Sequence, residues 1–363
     1  MRARTEQTLA RTVLAAYLGV RPRETVSIEA WSHALPWARA FVVEARRMGA
    51  EPLLVIEDED AFFRTMAALP RTALPVAPGA LATLSDVHVY LGGPEAFPRL
   101  GGVRPEELRS IVDRHDAVWR GAARRARTRF ARLAIAAATP VAAERYRVDL
   151  DSWREELVAA STVAPPRLAL IGRAAARRLA RARHIRIRHS NGTDVTTELL
   201  PGRRRVEDGS SARRPPSFAT DIPTGRIVVV PKPRSTEGLW ESNRPLYDRY
   251  SETPVQLAAQ FRFAGGRLRE FSFDRGGEAF ACAYEAGGRG RDSLGAIAFG
   301  LNSRIRRAPE VGDLAEGAVS LRLGGEAAAG GRRRAIFSRV VTLTGADVEL
   351  DGRPWLSGGR ATN

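Results

Sequence analysis

The chain has 363 residues, more than one hydrophobic core usually carries, so two domains are expected. Hydrophobic residues make up 44% and charged residues 27%, a globular balance. No run of about 18 apolar residues marks a transmembrane helix. The charged, amphipathic N-terminus lacks the unbroken apolar core of a signal peptide. Cys282 is the only cysteine, which excludes internal disulfides and cysteine-based metal clusters and fits a reducing cytoplasm. The net charge of +16 rests on arginine, Lys232 being the only lysine. The arginines are scattered, without the interleaved aromatics that stack bases, so nucleic acid is not the expected partner.

The first half reads as alternating helices and strands. Leu9, Val13, Leu14, Tyr17 and Leu18 recur at helical spacing, so a helix is predicted over 5–18. A strand follows at 25–30, then a helix at 35–48 with Trp37, Phe41, Val42 and Ala45 on one side. Ser32-His33 at its start reads as an N-cap. Strands are predicted at 52–56, 87–91 and 133–137 (LAIAA). Short apolar strands between helices argue for parallel βαβ units. No glycine-rich phosphate fingerprint follows any strand, so no nucleotide site is expected. Two more helices are read at 148–160 and 169–183.

The pattern then changes to strands. His184 to His189 alternates, Asn191-Gly192 is a hairpin turn, and 194–199 is the return strand. Residues 201–216 read as a basic, turn-rich loop. Pro223-Thr224-Gly225 is a turn that launches the strand Ile227 to Val230, with Arg226 held at its start. A hairpin is predicted over 260–274 through Gly265-Gly266. Further strands are expected at 281–284, 294–299, 318–323, 336–342 and 347–356, the last with a turn at Asp351-Gly352. Cys282 falls in the first of these and reads as a core strand residue. The fold class expected is an α/β domain over 1–183, with a parallel sheet and flanking helices. A β-rich α+β domain over 184–363 follows, with a cleft between the two.

The segment DIPTGRIVVVPKP (221–233) resembles the metal-binding turn of the M29 aminopeptidases, of aminopeptidase T type. So do HSNGTDVTTELLPGRR (189–204), LGAIAFGLN (294–302) and SLRLG (320–324), in the same order along the chain. The resemblance implies an M29-like fold. It also places Arg226 where the family has a glutamate ligand, Ala296 at a second glutamate, and Ser320 at a ligand histidine. Phe337 and Arg339 fall at the His-x-Asp pair. None of these side chains binds zinc, cobalt or iron. The related dihydroxypyridine ring-cleaving dioxygenases use a similar frame with an iron site, whose ligands are missing too. Independently of any alignment, no histidine follows His189.

The reading that follows is a metal-free, cofactor-free pseudoenzyme that binds a peptide. The peptide-binding proteins of crocagin biosynthesis are M29-like chains of this sort, so a precursor peptide in a bacterial pathway for ribosomally made peptide products is the expected partner. A homodimer through the second domain follows by family analogy. In this reading Arg226 and Arg339 share an anion, such as a peptide carboxylate, beside Ser320. The opposing reading is that Arg226 pairs with an internal acid such as Asp221 or Glu237 and fills the pocket. Trp240 and Tyr247, in an aromatic loop, are candidates to cover a peptide, with core packing the competing role. Two other functions stay open: a metal-free enzyme or an M29-type hydrolase with other ligands, and a nucleic-acid-binding protein.

Overall fold

Residues 2–68, 77–93, 95, 117–213, 218–248, 251, 253–325 and 337–362 are described by a computed structural model. The chain forms two compact units, 1–167 with 208–224, and 168–207 with 225–363.

In the first unit, α1 (Arg2–Thr12) runs into a π-helical turn, Val13–Leu18, whose apolar side chains are buried. The parallel strands β1 (Thr25–Trp31), β2 (Glu51–Glu57), β3 (Val87–Leu91) and β4 (Arg129–Leu133) pair in the order β2-β1-β3-β4. Between β1 and β2 lies α2 (Leu35–Arg47), which buries Ala38, Phe41 and Ala45. The helices α3 (Glu59–Ala68) and α4 (Ala77–Leu84) connect β2 to β3. The predicted strand at 133–137 lies four residues too late. Arg129–Leu133 is the strand, and Ala134–Ala137 is a 3-10 turn. The two arginines that hid it are neutralised at the sheet: Arg129 meets Glu24 at 2.5 Å and Arg132 meets Asp221 at 2.9 Å.

A polar trio lies in this core. Ser27 Oγ is 2.6 Å from His88 Nδ1, and His88 Nε2 is 3.6 Å from Glu29 Oε2. Trp119 stacks on the His88 ring at 4.0 Å. Burial lowers the His88 pKa to about 3. Burial, with a smaller push from Glu57, raises Glu29 to about 8. Both groups are therefore held neutral near pH 7, because low-dielectric surroundings penalise the charged forms.

After α5 (Pro140–Tyr146) and α6 (Leu150–Ser161), capped by Thr139 and Asp149, the chain enters the second unit with α7 (Pro165–Leu179). Ala175 and Leu179 of α7 belong to the second unit's core. The strands β5 (His184–Arg188) and β6 (Asp194–Glu207) form the predicted hairpin, but β6 is far longer than expected. It runs through the supposed basic loop, with a register shift between Leu199 and Arg204. Next, β7 (Ala219–Ile222) pairs in parallel with β4 and adds a fifth strand to the first sheet. A boundary at 183/184 is thus replaced by crossings near 167, 207 and 224. Strand pairing of β7 and apolar packing of α7 set them.

The rest of the second unit is antiparallel: β8 (Arg226–Pro231), β9 (Glu237–Glu241), β10 (Leu246–Tyr247), β11 (Val255–Gln256), β12 (Gln260–Ala264), β13 (Arg267–Ser272), β14 (Leu294–Gly300), β15 (Val319–Gly324), β16 (Ser338–Leu343), β17 (Asp347–Leu350), β18 (Arg353–Ser357) and β19 (Arg360–Ala361). A continuous path runs β16-β15-β14-β8-β6-β5-β17-β18-β19. The predicted strand at 281–284 is instead the helix α8 (Gly277–Ala286). Phe280 and Ala283, three residues apart, face inward, and Phe280 packs against Phe261, Phe271, Phe273 and Phe337 at 4.9–5.5 Å. Burying one such ring stabilises by ~1.5–3 kcal/mol, enough to override a weak strand preference. Cys282 is exposed on this helix rather than in a core strand. The architecture is thus an α/β unit with a five-stranded parallel sheet and a β-rich antiparallel unit.

Candidate functional site

The turn before β8 needs its glycine. Gly225 has φ +126°, and a Cβ there would meet Leu168 Cδ2 at 3.1 Å and Asn302 Cβ at 3.2 Å. Its carbonyl accepts from Leu301 N at 2.8 Å. The next residue, Arg226, is thereby fixed at the strand start. Ile227 and Val229 point into the main core of the second unit, so Arg226 and Val228 point the other way.

That second face collects a distinct set of residues. Registers place Glu207 opposite Arg226, Arg205 opposite Val228, Ala298 opposite Val228, and Ser320 opposite Ala298. Arg322 lies opposite Ala296, and Thr342 opposite Ser320. Directly paired residues share a face. Arg226, Ala296 and Ser320, aligned with metal ligands from sequence, are therefore brought onto one sheet face. Val228, Ala296 and Ala298 form a small apolar patch there.

The charges on this face are organised around Arg226. Its Nε donates to Glu207 Oε2 at 2.6 Å, and its Nη1 donates to Asp313 Oδ2. All three side chains are largely buried, at 17%, 20% and 11% exposure. Arg205 pairs with the other oxygen of Glu207. The acids proposed from sequence are engaged elsewhere: Asp221 with Arg120 and Arg132, and Glu237 with the Gly265 amide. Among the described residues, three guanidiniums, Arg205, Arg226 and Arg322, thus face two carboxylates. Arg322 has no carboxylate within ion-pair distance among the described residues. The one side-chain hydrogen bond it makes there goes to Ser338 Oγ at 3.2 Å. Its pKa is lowered, first by burial and then by the Arg226 guanidinium.

The other predicted residues do not join this set. Arg339 lies opposite Leu323, in line with Val341 and Leu343, and so faces the main core. It is 5% exposed and meets Asp248 at 3.1 Å, with its guanidinium 5.4 Å from the Phe337 ring centre. A shared anion between Arg226 and Arg339 is ruled out, because the sheet separates them. Phe337 is also a core residue, edge-on to Phe280 and Tyr284. Trp240, on β9, is fully buried and cannot cover a ligand. Tyr247 is half-buried on β10, and burial raises its pKa. Ser320 Oγ lies 3.0 Å from Thr342 Oγ1.

Sequence reasoning missed Glu207, Arg205 and Arg322, and found no ligand pattern in the spacing of Asp313 from the other acids. Arg322 was within reach, since Ser320 and Arg322 are two apart in one strand and share a face. The family's metal does not fit this donor set. Arg226 and Arg322 cannot deprotonate to bind one, Ala296 has no donor, and Glu207 and Asp313 are committed to Arg226.

Residues 173–310 match the family model of the thermophilic metalloproteases (M29). No curated protein matches the chain. Among solved structures, wild-type AmpT from Thermus thermophilus superposes with a TM-score of 0.73 at 16% identity, covering 99% of each chain. The 2,5-dihydroxypyridine dioxygenase from Pseudomonas putida KT2440 does so with a TM-score of 0.67 at 16% identity, covering 100% of this chain and 98% of that one. Residues 173–310 therefore carry the sequence pattern of the M29 thermophilic metalloproteases, on a fold that the whole chain shares with AmpT.

Proposed function

We propose that the chain is a non-catalytic peptide-binding protein on an M29-type scaffold, with the face around Arg226 and Arg322 holding an acidic group of the peptide where relatives hold metal. One observation carries this reading. On one sheet face lie Arg226, Ala296 and Ser320, which the sequence resemblance aligns with ligand positions, and among the described residues the cluster there keeps one surplus guanidinium, Arg322. A partly desolvated guanidinium without a counter-ion gains most from a carboxylate that binds in a fork. Arg226 then acts as the organiser of Glu207 and Asp313, and Arg322 as the contact. Within this reading the partner is a ribosomally made precursor peptide of a bacterial pathway, and the protein acts in the cytoplasm without a cofactor at this face. It acts as a homodimer through its second unit, which light scattering checks. No helix among the described residues is long and apolar enough to cross a membrane.

The match over 173–310 supports one competing reading, an M29-type hydrolase. A single set of measurements separates them. Fluorescein-labelled decapeptides with free carboxyl ends are titrated against the protein, beside the same peptides as amides. Hydrolysis of leucine p-nitroanilide is followed with added zinc, cobalt or manganese. The proposal expects preference for the free carboxylates and no turnover. Turnover that survives in Glu29→Gln and is lost in Asp313→Asn would establish the hydrolase.

A further inference from the structure

A second group of donors lies in the first unit, remote in sequence from the M29-like segment. His33, Glu59 and Glu95 each offer a ligand atom, and these atoms lie within 4.8 Å of one another. We propose that they bind a divalent transition-metal ion of the zinc, manganese or iron(II) class.

The topology explains why these three meet. Strand β1 ends at Trp31, β2 at Glu57 and β3 at Leu91. His33, Glu59 and Glu95 follow two, two and four residues later. The sheet order is β2-β1-β3-β4-β7, with all pairings parallel, so the three residues emerge from neighbouring strands at the same, carboxyl end. In such a sheet the order reverses at β1/β3. The crevice beyond the carboxyl ends at that switch point is where open parallel sheets place ligands. Here His33 and Glu95 come from the two strands that flank the switch.

The histidine is prepared as a ligand. Its Nε2 lies 3.0 Å from the carbonyl oxygen of Ala136, which can only accept. Nε2 therefore carries the proton, and in the neutral ring Nδ1 keeps a lone pair. That Nδ1 is buried and has no hydrogen-bond partner among the described residues. A ring that gives one N–H to a backbone carbonyl and keeps a lone pair on its other nitrogen has the arrangement seen around metal-bound histidines. The loops are tied as well. The Glu95 amide donates to Glu59 Oε2 at 2.9 Å, and Thr139 Oγ1 donates to the Glu95 carbonyl at 2.7 Å. The Ser32 hydroxyl, expected as a helix cap, donates instead to Glu57 O at 3.3 Å and joins the ends of β1 and β2.

One imidazole and two carboxylates suit zinc, manganese and iron(II), and suit copper(I) poorly. Metal bonds of about 2.1 Å need the donors to close by roughly an ångström, a side-chain rotation. Three protein ligands leave coordination positions for water or a small ligand.

The test uses the full chain, stripped with chelator and titrated with Zn²⁺ and Mn²⁺ in a calorimeter, with bound metal counted by mass spectrometry. One equivalent is expected. His33→Ala and Glu95→Gln should each weaken binding by roughly tenfold or more, about 1.4 kcal/mol or above, with unchanged far-ultraviolet circular dichroism. A Co²⁺ absorption band that shifts in His33→Ala gives a second readout. No bound metal, or wild-type affinity in both variants, overturns the proposal. Metal lost only in Asp313→Asn would place the ion on the second unit's sheet face and overturn it too, together with the peptide-binding reading.

Discussion

Arg226 and Arg339 lie on opposite faces of one antiparallel sheet. Arg226 is in register with Gly300 and Glu207, while Arg339 is in register with Leu323. Each has its own acid: Glu207 and Asp313 on one side, Asp248 on the other. Two arginines expected from sequence to share one anion therefore do different work, and mutations separate them.

Arg226→Ala removes the common partner of Glu207 and Asp313 and leaves two largely buried carboxylates together. Breaking a buried pair costs ~3–5 kcal/mol. Residual solvent contact lowers this to about 2–3 kcal/mol. Urea unfolding should show the loss, and Arg226→Ala,Asp313→Asn should recover part of it. An unchanged midpoint would mean that the cluster is solvated and structurally idle.

Arg322→Gln should behave in the opposite way. The arginine is desolvated and repelled by Arg226, so its removal should leave stability unchanged or raise it by ~0.5 kcal/mol. Peptide carboxylate binding should weaken by ~1.5–3 kcal/mol, the range for hydrogen bonds to charged groups. Fluorescence anisotropy with the labelled decapeptides reads the second effect. Unaltered affinity with retained fold would remove Arg322 from the binding site.

Arg339→Ala should destabilise without changing affinity. It removes the guanidinium that meets Asp248, 4% exposed, in the core of the second unit. The expected cost is ~3–5 kcal/mol. If the variant proves too unstable to assay, Arg339→Met with Asp248→Leu keeps the volume and tests affinity alone. A drop in peptide binding in that double variant would return Arg339 to the site.

Glu29 and His88 give the protein an expected pH profile. Glu29 is raised to about 8, so the fold keeps a proton that the unfolded chain releases near its ordinary value of about 4.5. Its contribution is complete below about pH 4.5 and is lost as the pH rises through about 8. His88 is lowered to about 3, so the fold refuses a proton that the unfolded chain takes up near 6.5. Its contribution is complete above about 6.5 and is lost as the pH falls towards 3. The two slopes oppose each other between about 4.5 and 6.5, which gives a plateau. Stability should fall on the alkaline side by up to about 1.4 kcal/mol per pH unit. Thermal melts of Glu29→Gln should lack that alkaline fall. A variant that keeps it would show that the carboxyl is already ionised in the fold.

Much of the local structure was legible in the residues themselves. Periodicity located β1, β2, β3 and the hairpins around Asn191-Gly192 and Asp351-Gly352, since side-chain alternation and turn chemistry act over a few residues. Residue type alone gave the expectation that Arg226 and Ala296, neither of which can donate to a metal, do not serve as ligands. Tertiary structure decided what those residues face and which charges meet. The acids that hold Arg226 lie 19 and 87 residues away, and strand register, set by packing across the whole sheet, brings them to it. Register also put Arg339 in the core, where a displacement of one residue reverses every side chain. The return of 208–224 to the first sheet, the turn of 277–286 into a helix and the convergence of His33, Glu59 and Glu95 have the same origin. Each depends on long-range pairing or burial between segments that carry no trace of one another in sequence.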